Sequence, residues 1–416
     1  MKGPRIRAVS EHSAERNADR GDKPNVAIAG WFVKGVVGEL FLRDCVSILE
    51  PICDRIYVIT SEHFSYGDSV NVNVLRLPDV KFSNRIGLLA RIARFLAVQW
   101  RVTISLIGIS KHIDIVISPL GGTSGEGHFV PTIVAKLLGK KVIVFHRGGR
   151  KIHDVKLGDP TIPGRIISPP IIAALQRITY AMADRIAVQG QSIITWAGLS
   201  KYENKISVGS ARYVDTELFT PKKDIEERKR LVGFCGRFRP VKGVMDFVDA
   251  IPLVLRERDD VEFLIAGGGP LFEKIKDKLA SAECYRKVQL DEWISHEDKL
   301  PAYLNELKLL VLPSYSEGLP GIVVEAMACG TPVLATPVGA VPDIMEDGET
   351  GFIIEDNSPQ CIAKGIIRVL DHQNLKQIVQ NARSVVEKEF SYEAAVERHA
   401  TLLSDLGTRR CKKGNS

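Results

Sequence analysis

From Val26 onward, short β-branched apolar runs alternate with longer stretches of helical period. The segments VAIAG, RIYVIT, NVNVLRL, IDIVISP, KVIVFH, RIAVQG and KISVG read as strands. Strands that alternate with helices in this way form a parallel sheet with helices on its faces. The pattern breaks at a proline- and charge-rich cluster, residues 220–230, and then restarts with LVGFCGR, EFLIAGG, VQLDEWI, LLVLPS and TPVLATP between new helical stretches. Two α/β units are therefore expected, over 25–210 and 211–390, with the linker falling between about residues 210 and 229. A last helical stretch, 391–408, lies beyond the final strand signal, and the pattern assigns it to neither unit. Residues 1–24 are polar and lack the apolar run of a secretory leader, so a disordered lead-in is expected there; a basic tail occupies 409–416.

Composition adds modest limits. A chain of 416 residues, 45% hydrophobic and 25% charged, is too long for one core. Lys and Arg exceed Asp and Glu by 56 to 50, which suits an anionic ligand but falls short of a dedicated nucleic-acid binder, and no nucleic-acid partner is expected. The seven cysteines are scattered, with no zinc or disulfide spacing, which fits a reducing cytoplasmic setting. The longest apolar stretch, 95–110, is interrupted by Gln99, Arg101, Thr103 and Ser105 and is too short to span a bilayer.

The densest chemistry lies in YSEGLPGIVVEAMACGTPVLATPVGAVPDIMEDGETGFII, residues 315–354. A strand ends at Ser314, a Glu-Gly-Leu-Pro loop follows, and IVVEAMAC reads as a helix stopped by Gly330. Backbone N–H groups at Gly318, Leu319 and Gly321, with the positive end of the helix dipole, are expected to form an anion site at the C-terminal edge of a sheet. Glu317 and Glu325, eight positions apart, are acceptors for vicinal hydroxyls. Taken alone, each is as readily a solvated carboxylate near a helix start.

These residues resemble the E-x7-E signature of the retaining glycosyltransferase family 4, and the likeness continues upstream. CGRFRPVKG at 235–243 looks like that family's G-R-x-x-x-x-K-G element, FLIAGGGPLFEKI like its strand and G-x-G-P turn, and LDEWISHEDKLPAYLNELKLLVLPS like the segment over the nucleotide base. Together they cover nearly all of 231–356. The resemblance implies a GT-B fold, in which two facing Rossmann-like domains enclose a deep cleft. It implies a nucleotide-sugar donor site formed by Gly236, Arg237, Lys242, Trp293, Ile294, Gly318, Leu319, Pro320 and Glu325. Arg237 and Lys242 would meet the diphosphate, Glu325 the ribose and Glu317 the transferred sugar. The turn at 267–270 is read as structural.

In the first unit, Gly35 and Gly38 of GWFVKGVVGELF resemble the family's glycine-rich loop that reaches toward the diphosphate; a flexible strand-to-helix turn is the alternative. His146, followed by Arg147 and a Gly pair, is similar to the strand-end histidine near the transferred sugar, although a lone histidine is as readily a packing residue. Glu126, His128 and Arg147 are acceptor-side candidates. The chain departs from the family at GSARYVDTELF, which keeps Asp215 and Phe219 but lacks the usual Pro-Asn-Gly, and at QGQS, 189–192. Both departures are expected to affect the acceptor side and leave the donor site untouched. Arg91, Arg94 and Arg101 fall on one side of an amphipathic helix, for which an anionic membrane surface is one reading and a core-packing helix the other.

The expectation is an enzyme moving a hexose or N-acetylhexosamine from a UDP- or GDP-sugar to a hydroxyl acceptor, in a glycan, a lipid-linked carrier or a small molecule, with retention and without metal or other cofactor. Domain closure would bring Gly38 and His146 toward the donor. A nucleotide-sugar epimerase or hydrolase on the same fold and a non-catalytic nucleotide-sugar-binding scaffold remain alternatives. A cytoplasmic location is expected, with the inner face of the membrane open as a second setting. Sugar, base, acceptor and oligomeric state are not legible.

Overall fold

The computed structural model describes residues 23–30, 36–61, 64–67, 69–78, 88–120, 129–147, 169–209, 211–281, 283–292, 294 and 299–406. Gly35, Glu126, His128 and Trp293 lie outside the described residues, as do the lead-in through residue 22 and the basic tail.

The first unit holds strands β1 (Asn25–Ala29), β2 (Arg55–Ser61), β3 (Val72–Leu77), β4 (Ile115–Leu120), β5 (Lys141–His146), β6 (Arg185–Val188) and β7 (Ile206–Val208). They pair in the order β3-β2-β1-β4-β5-β6-β7, parallel throughout. Helices α1 (Val36–Leu49), α2 (Leu88–Ile109), α3 (Phe129–Leu137), α4 (Pro169–Met182) and the short α5 (Ser192–Trp196) make the crossovers.

The second sheet runs β10-β9-β8-β11-β12-β13, again parallel, from β8 (Leu231–Arg237), β9 (Glu262–Gly268), β10 (Val288–Asp291), β11 (Leu309–Leu312), β12 (Val333–Ala335) and β13 (Phe352–Ile353). Its helices are α6 (Val244–Glu257), α7 (Phe272–Ala280), α8 (Leu300–Glu306), α9 (Gly321–Ala328), α10 (Val341–Ile344), α11 (Pro359–Leu370) and α12 (Leu375–Glu389). The central strands are buried on both faces, as β1, β4 and β11 show along their whole length.

Strand order reverses direction between β1 and β4 in one sheet and between β8 and β11 in the other. An open α/β sheet binds ligands outside the C-terminal ends of its strands at such a switch point. The loops that follow β8 and β11 are the two that carry the motif residues.

The last helix, α13 (Tyr392–Ser404), starts from Ser391, whose side chain accepts the N–H of Ala394. It returns to the first unit: Leu402, Leu403 and Leu406 join the core formed by β1, β2, β4 and α1. Tyr392 donates to the Ser47 carbonyl at 3.0 Å, and its ring meets Tyr213 of the linker edge-on at 5.2 Å. The connection is therefore double, with the linker and the C-terminal helix crossing side by side; Val214 N–H donates to the Phe390 carbonyl at 2.8 Å.

Candidate functional site

The β8–α6 loop places Arg237 at the exposed strand end and Lys242 at the end of a single 3-10 turn, Pro240–Lys242. Gly243, at φ +65°, then opens α6. A Cβ there would sit 1.9 Å from the Pro313 carbonyl oxygen, so only glycine lets the helix start this close to the end of β11. That contact brings the two loops together. Tyr315 N–H donates to the Val241 carbonyl at 2.8 Å, and the Tyr315 hydroxyl donates to Asp246 at 3.0 Å.

As a result Lys242 Nζ lies 2.5 Å from Glu317 Oε1, which also accepts the Ser314 hydroxyl at 2.7 Å. Both members of the pair are largely screened from water, with side-chain exposures of 16% and 8%. Two residues chosen from motifs 75 positions apart thus form one charge pair at the switch point.

Glu325 lies one turn into α9 and is buried, which removes the solvated-carboxylate alternative. It forms an ion pair with Arg212 of the linker. The Arg212 guanidinium rests on the start of α9, since a Cβ on Gly321 would meet it at 2.2 Å. From the end of β6, Gln189 reaches the same helix start: its Oε1 accepts the Leu319 N–H at 3.0 Å and would lie 2.1 Å from a Cβ on Gly318. A third contact follows at α10, where Asp343 accepts from Ser192 N–H at 3.0 Å and from its hydroxyl at 2.6 Å.

These contacts correct two expectations. The departures at QGQS and GSARYVD are not confined to the first unit: Gln189 and Arg212 reach the loop and helix that carry Glu317 and Glu325. The Leu319 N–H, expected to await an anion, is satisfied by Gln189. Neither Gln189 nor Arg212 was singled out from the sequence; their signal was the departure from the family pattern itself.

In the first unit, His146 ends β5, opposite Leu120 of β4 and Val188 of β6. Its Nδ1 is 2.7 Å from the Tyr180 hydroxyl, which fixes the ring whichever atom carries the proton. Nε2 has no hydrogen-bond partner among the described residues. Burial pushes its pKa down to about 4. The imidazole is therefore neutral at physiological pH and serves as a hydrogen-bonding group, not a cation. The Arg147 guanidinium stacks on Phe41 of α1 at 3.8 Å, while its carbonyl oxygen would be 2.9 Å from a Cβ on Gly318. Gly38 sits in the first turn of α1, half-buried, and Ile294 is half-buried against the core below β11. Gly236 lies within β8 and Pro320 is buried at the N-cap of α9.

His399 of α13 is buried in the same core region, 5.8 Å from the Phe145 ring, and burial likewise lowers its pKa to about 4. Between pH 4 and 6.5 the unfolded chain binds protons at both histidines that the folded one does not. Stability is then full above pH 6.5 and is lost as pH falls, by up to about 1.4 kcal/mol per pH unit for each group. Urea unfolding at pH 7 and pH 5 should show this fall, and its removal in His399→Gln should halve it; a pH-independent midpoint over that range would contradict the buried neutral state.

Among the described residues, no cluster of His, Cys, Asp and Glu could hold a metal ion. No helix among them is long and apolar enough to cross a membrane.

With this geometry, comparison with known proteins is informative. Residues 215–385, most of the second unit, match the family model for glycosyl transferases group 1. An uncharacterized glycosyltransferase of Methanocaldococcus jannaschii, MJ1178, is 32% identical over 168 residues, 39% of this chain and 44% of that protein. The alpha-D-kanosaminyltransferase of Streptomyces kanamyceticus is 24% identical over 301 residues, 68% of this chain and 75% of that enzyme. In three dimensions the chain superposes on Anabaena HepE, solved in complex with UDP and glucose, with a TM-score of 0.69 at 16% identity, covering 92% of this chain and 99% of HepE. The architecture is GT-B: two parallel, doubly wound α/β units facing each other across the motif loops.

Proposed function

We propose that the protein is a glycosyltransferase that moves a hexose or N-acetylhexosamine from a UDP- or GDP-sugar to a hydroxyl acceptor with retention of anomeric configuration. The observation that carries the reading is the convergence, at the switch point of the second sheet, of Lys242 with Glu317 and of Glu325 with Arg212. A nucleoside diphosphate leaving group gathers negative charge as the glycosidic bond breaks. Arg237 and Lys242, with the α9 dipole, supply fixed positive charge where that occurs.

In this reading Glu325 accepts the ribose hydroxyls and Glu317 a hydroxyl of the transferred sugar, so both carboxylates orient the donor and neither attacks. The acceptor approaches from the His146 side. Neutral His146 hydrogen-bonds the sugar or the acceptor, while the departing phosphate takes the acceptor proton on the same face. The activities and ligands of similar proteins, a sugar transferase and a UDP-binding fold neighbour, support the donor class.

The test is a thermal-shift screen against UDP, GDP, ADP and their sugar conjugates, followed by turnover assays with the responding donor, since a ligand that binds the folded state raises its melting temperature. A response to one nucleotide class, with acceptor-dependent transfer and an axial-to-axial or equatorial-to-equatorial product, is expected. Inverted product would sink the retaining assignment, and donor turnover without acceptor would favour an epimerase or hydrolase. Charge at the diphosphate is offset by side chains and helix dipole, so chelator should leave the rate unchanged; loss of activity restored by one divalent cation would overturn the metal-free mechanism.

A further inference from the structure

Among the described residues, ten large hydrophobic side chains are exposed, and eight of them lie on three packed helices of the first unit: on α2, on α3 or the residue that follows it, and on α4. None lies beyond residue 208. On α2, Leu96, Trp100, Ile104 and Ile107 are 56%, 64%, 52% and 49% exposed. Their spacing of four, four and three places them on one stripe, opposite Val102 and Leu106, which are fully buried. No charged residue shares that stripe. α3 packs between α2 and α4, and it extends the surface through Leu137, as α4 does through Ile178. Scattered exposed apolar residues are ordinary, but a contiguous apolar face marks an interaction surface.

Its charge identifies the partner. Residues 88–112, 129–141 and 169–182 together contain eight Lys or Arg and no Asp or Glu, in a chain where the two signs are nearly balanced. Lys136 and Lys141 are matched by Asp184 at the start of β6. Lys111, just after α2, and Arg177 of α4 are exposed on the two outer sides of the layer, and Arg101 flanks the α2 stripe with its Nη1 on the Pro78 carbonyl, a neutral acceptor. A second copy of this face would bring basic rims against basic rims. Anionic headgroups complement them, and a tryptophan in an apolar stripe is suited to the headgroup boundary.

We infer that the α2–α3–α4 face of the first unit docks on an anionic lipid surface, with the α2 stripe dipping into the headgroup layer. This surface does not depend on the transferase reading. Under that reading it has a consequence for the acceptor: α2 and α3 begin at the C-terminal edge of the first sheet, so docking sets the cleft mouth beside the lipid, within reach of a lipid-linked hydroxyl.

The test is co-sedimentation of the full chain with vesicles of phosphatidylcholine alone and of phosphatidylcholine mixed with phosphatidylglycerol. The chain should pellet with the anionic vesicles and not with the neutral ones. Trp100→Ser/Ile104→Ser removes two exposed side chains, so its melting temperature and nucleotide response should match the wild type while vesicle binding falls about tenfold or more. Lys111→Glu/Arg177→Glu should weaken binding to the anionic vesicles as well. A chain that remains in the supernatant with both vesicles would overturn the inference. So would undiminished binding by the Trp100/Ile104 variant, which would assign lipid affinity to the basic tail. A wild-type dimer in sedimentation velocity that dissolves in that variant would assign the face to a second copy.

Discussion

Replacing Lys242 by alanine should lower turnover by about 10²–10³-fold, the loss that follows removal of one fixed donor to developing negative charge in a water-poor site. The ammonium sits where the β8–α6 loop closes on the end of β11, held there by Gly243 against Pro313 and by Tyr315 on Val241. It also neutralises Glu317, which retains only Ser314 as a described side-chain donor once the lysine is removed. Two effects are therefore mixed in the single variant: loss of charge at the proposed diphosphate site and a stranded, nearly buried carboxylate. Stranding one member of a buried pair costs about 3–5 kcal/mol. Lys242→Ala/Glu317→Gln separates them, because the neutral amide should recover most of the melting temperature while turnover stays low. If Lys242→Ala retained a rate within threefold of wild type at saturating donor, the lysine would have no part in leaving-group stabilisation.

Much of the architecture is legible in the sequence because each β-branched run is bounded by turn residues. The segments KVIVFH, LVGFCGR and EFLIAGG coincide residue for residue with β5, β8 and β9. β13 has only two residues, too few for any periodicity to register, and it exists because it completes the edge beside β12. The place of α13 is likewise invisible along the chain. Its apolar face fits either unit, and what decides is the three-dimensional path, with Tyr392 and Leu402 meeting α1 and the strands beside it.

The site divides along the same line. Lys242, Glu317 and Glu325 lie in segments that resemble the family's motifs, so they could be picked out along the chain, although the meeting of Lys242 with Glu317 rests on the approach of Gly243 to Pro313. Gln189 and Arg212 act at a distance of 130 and 113 residues from their partners, and nothing local to either predicts that meeting. They replace residues the family pattern would supply, and the same two segments span the cleft.

The Arg212–Glu325 pair gives the second large expected effect, and its direction distinguishes two roles for the arginine. Glu325→Ala should abolish the nucleotide-induced thermal shift, since it removes the acceptor proposed for the ribose hydroxyls. It should also destabilise the fold by roughly 3 kcal/mol by leaving the Arg212 guanidinium at the positive end of α9. Arg212→Ala removes the same ion pair from the other side, so the two losses should be less than additive in the double variant, as expected for groups in direct contact. Nucleotide affinity provides the decisive reading. The guanidinium orients the carboxylate at the helix start, and its loss removes the ion pair that aims Glu325 at the place proposed for the ribose. Arg212→Ala should therefore weaken nucleotide binding about tenfold, or about 1.4 kcal/mol, while leaving the identity of the preferred base unchanged. Tighter binding in Arg212→Ala would reverse the assignment: the arginine would then be occupying the donor's place on α9, and the linker would act as a competitor that the nucleotide must displace before the two units engage it.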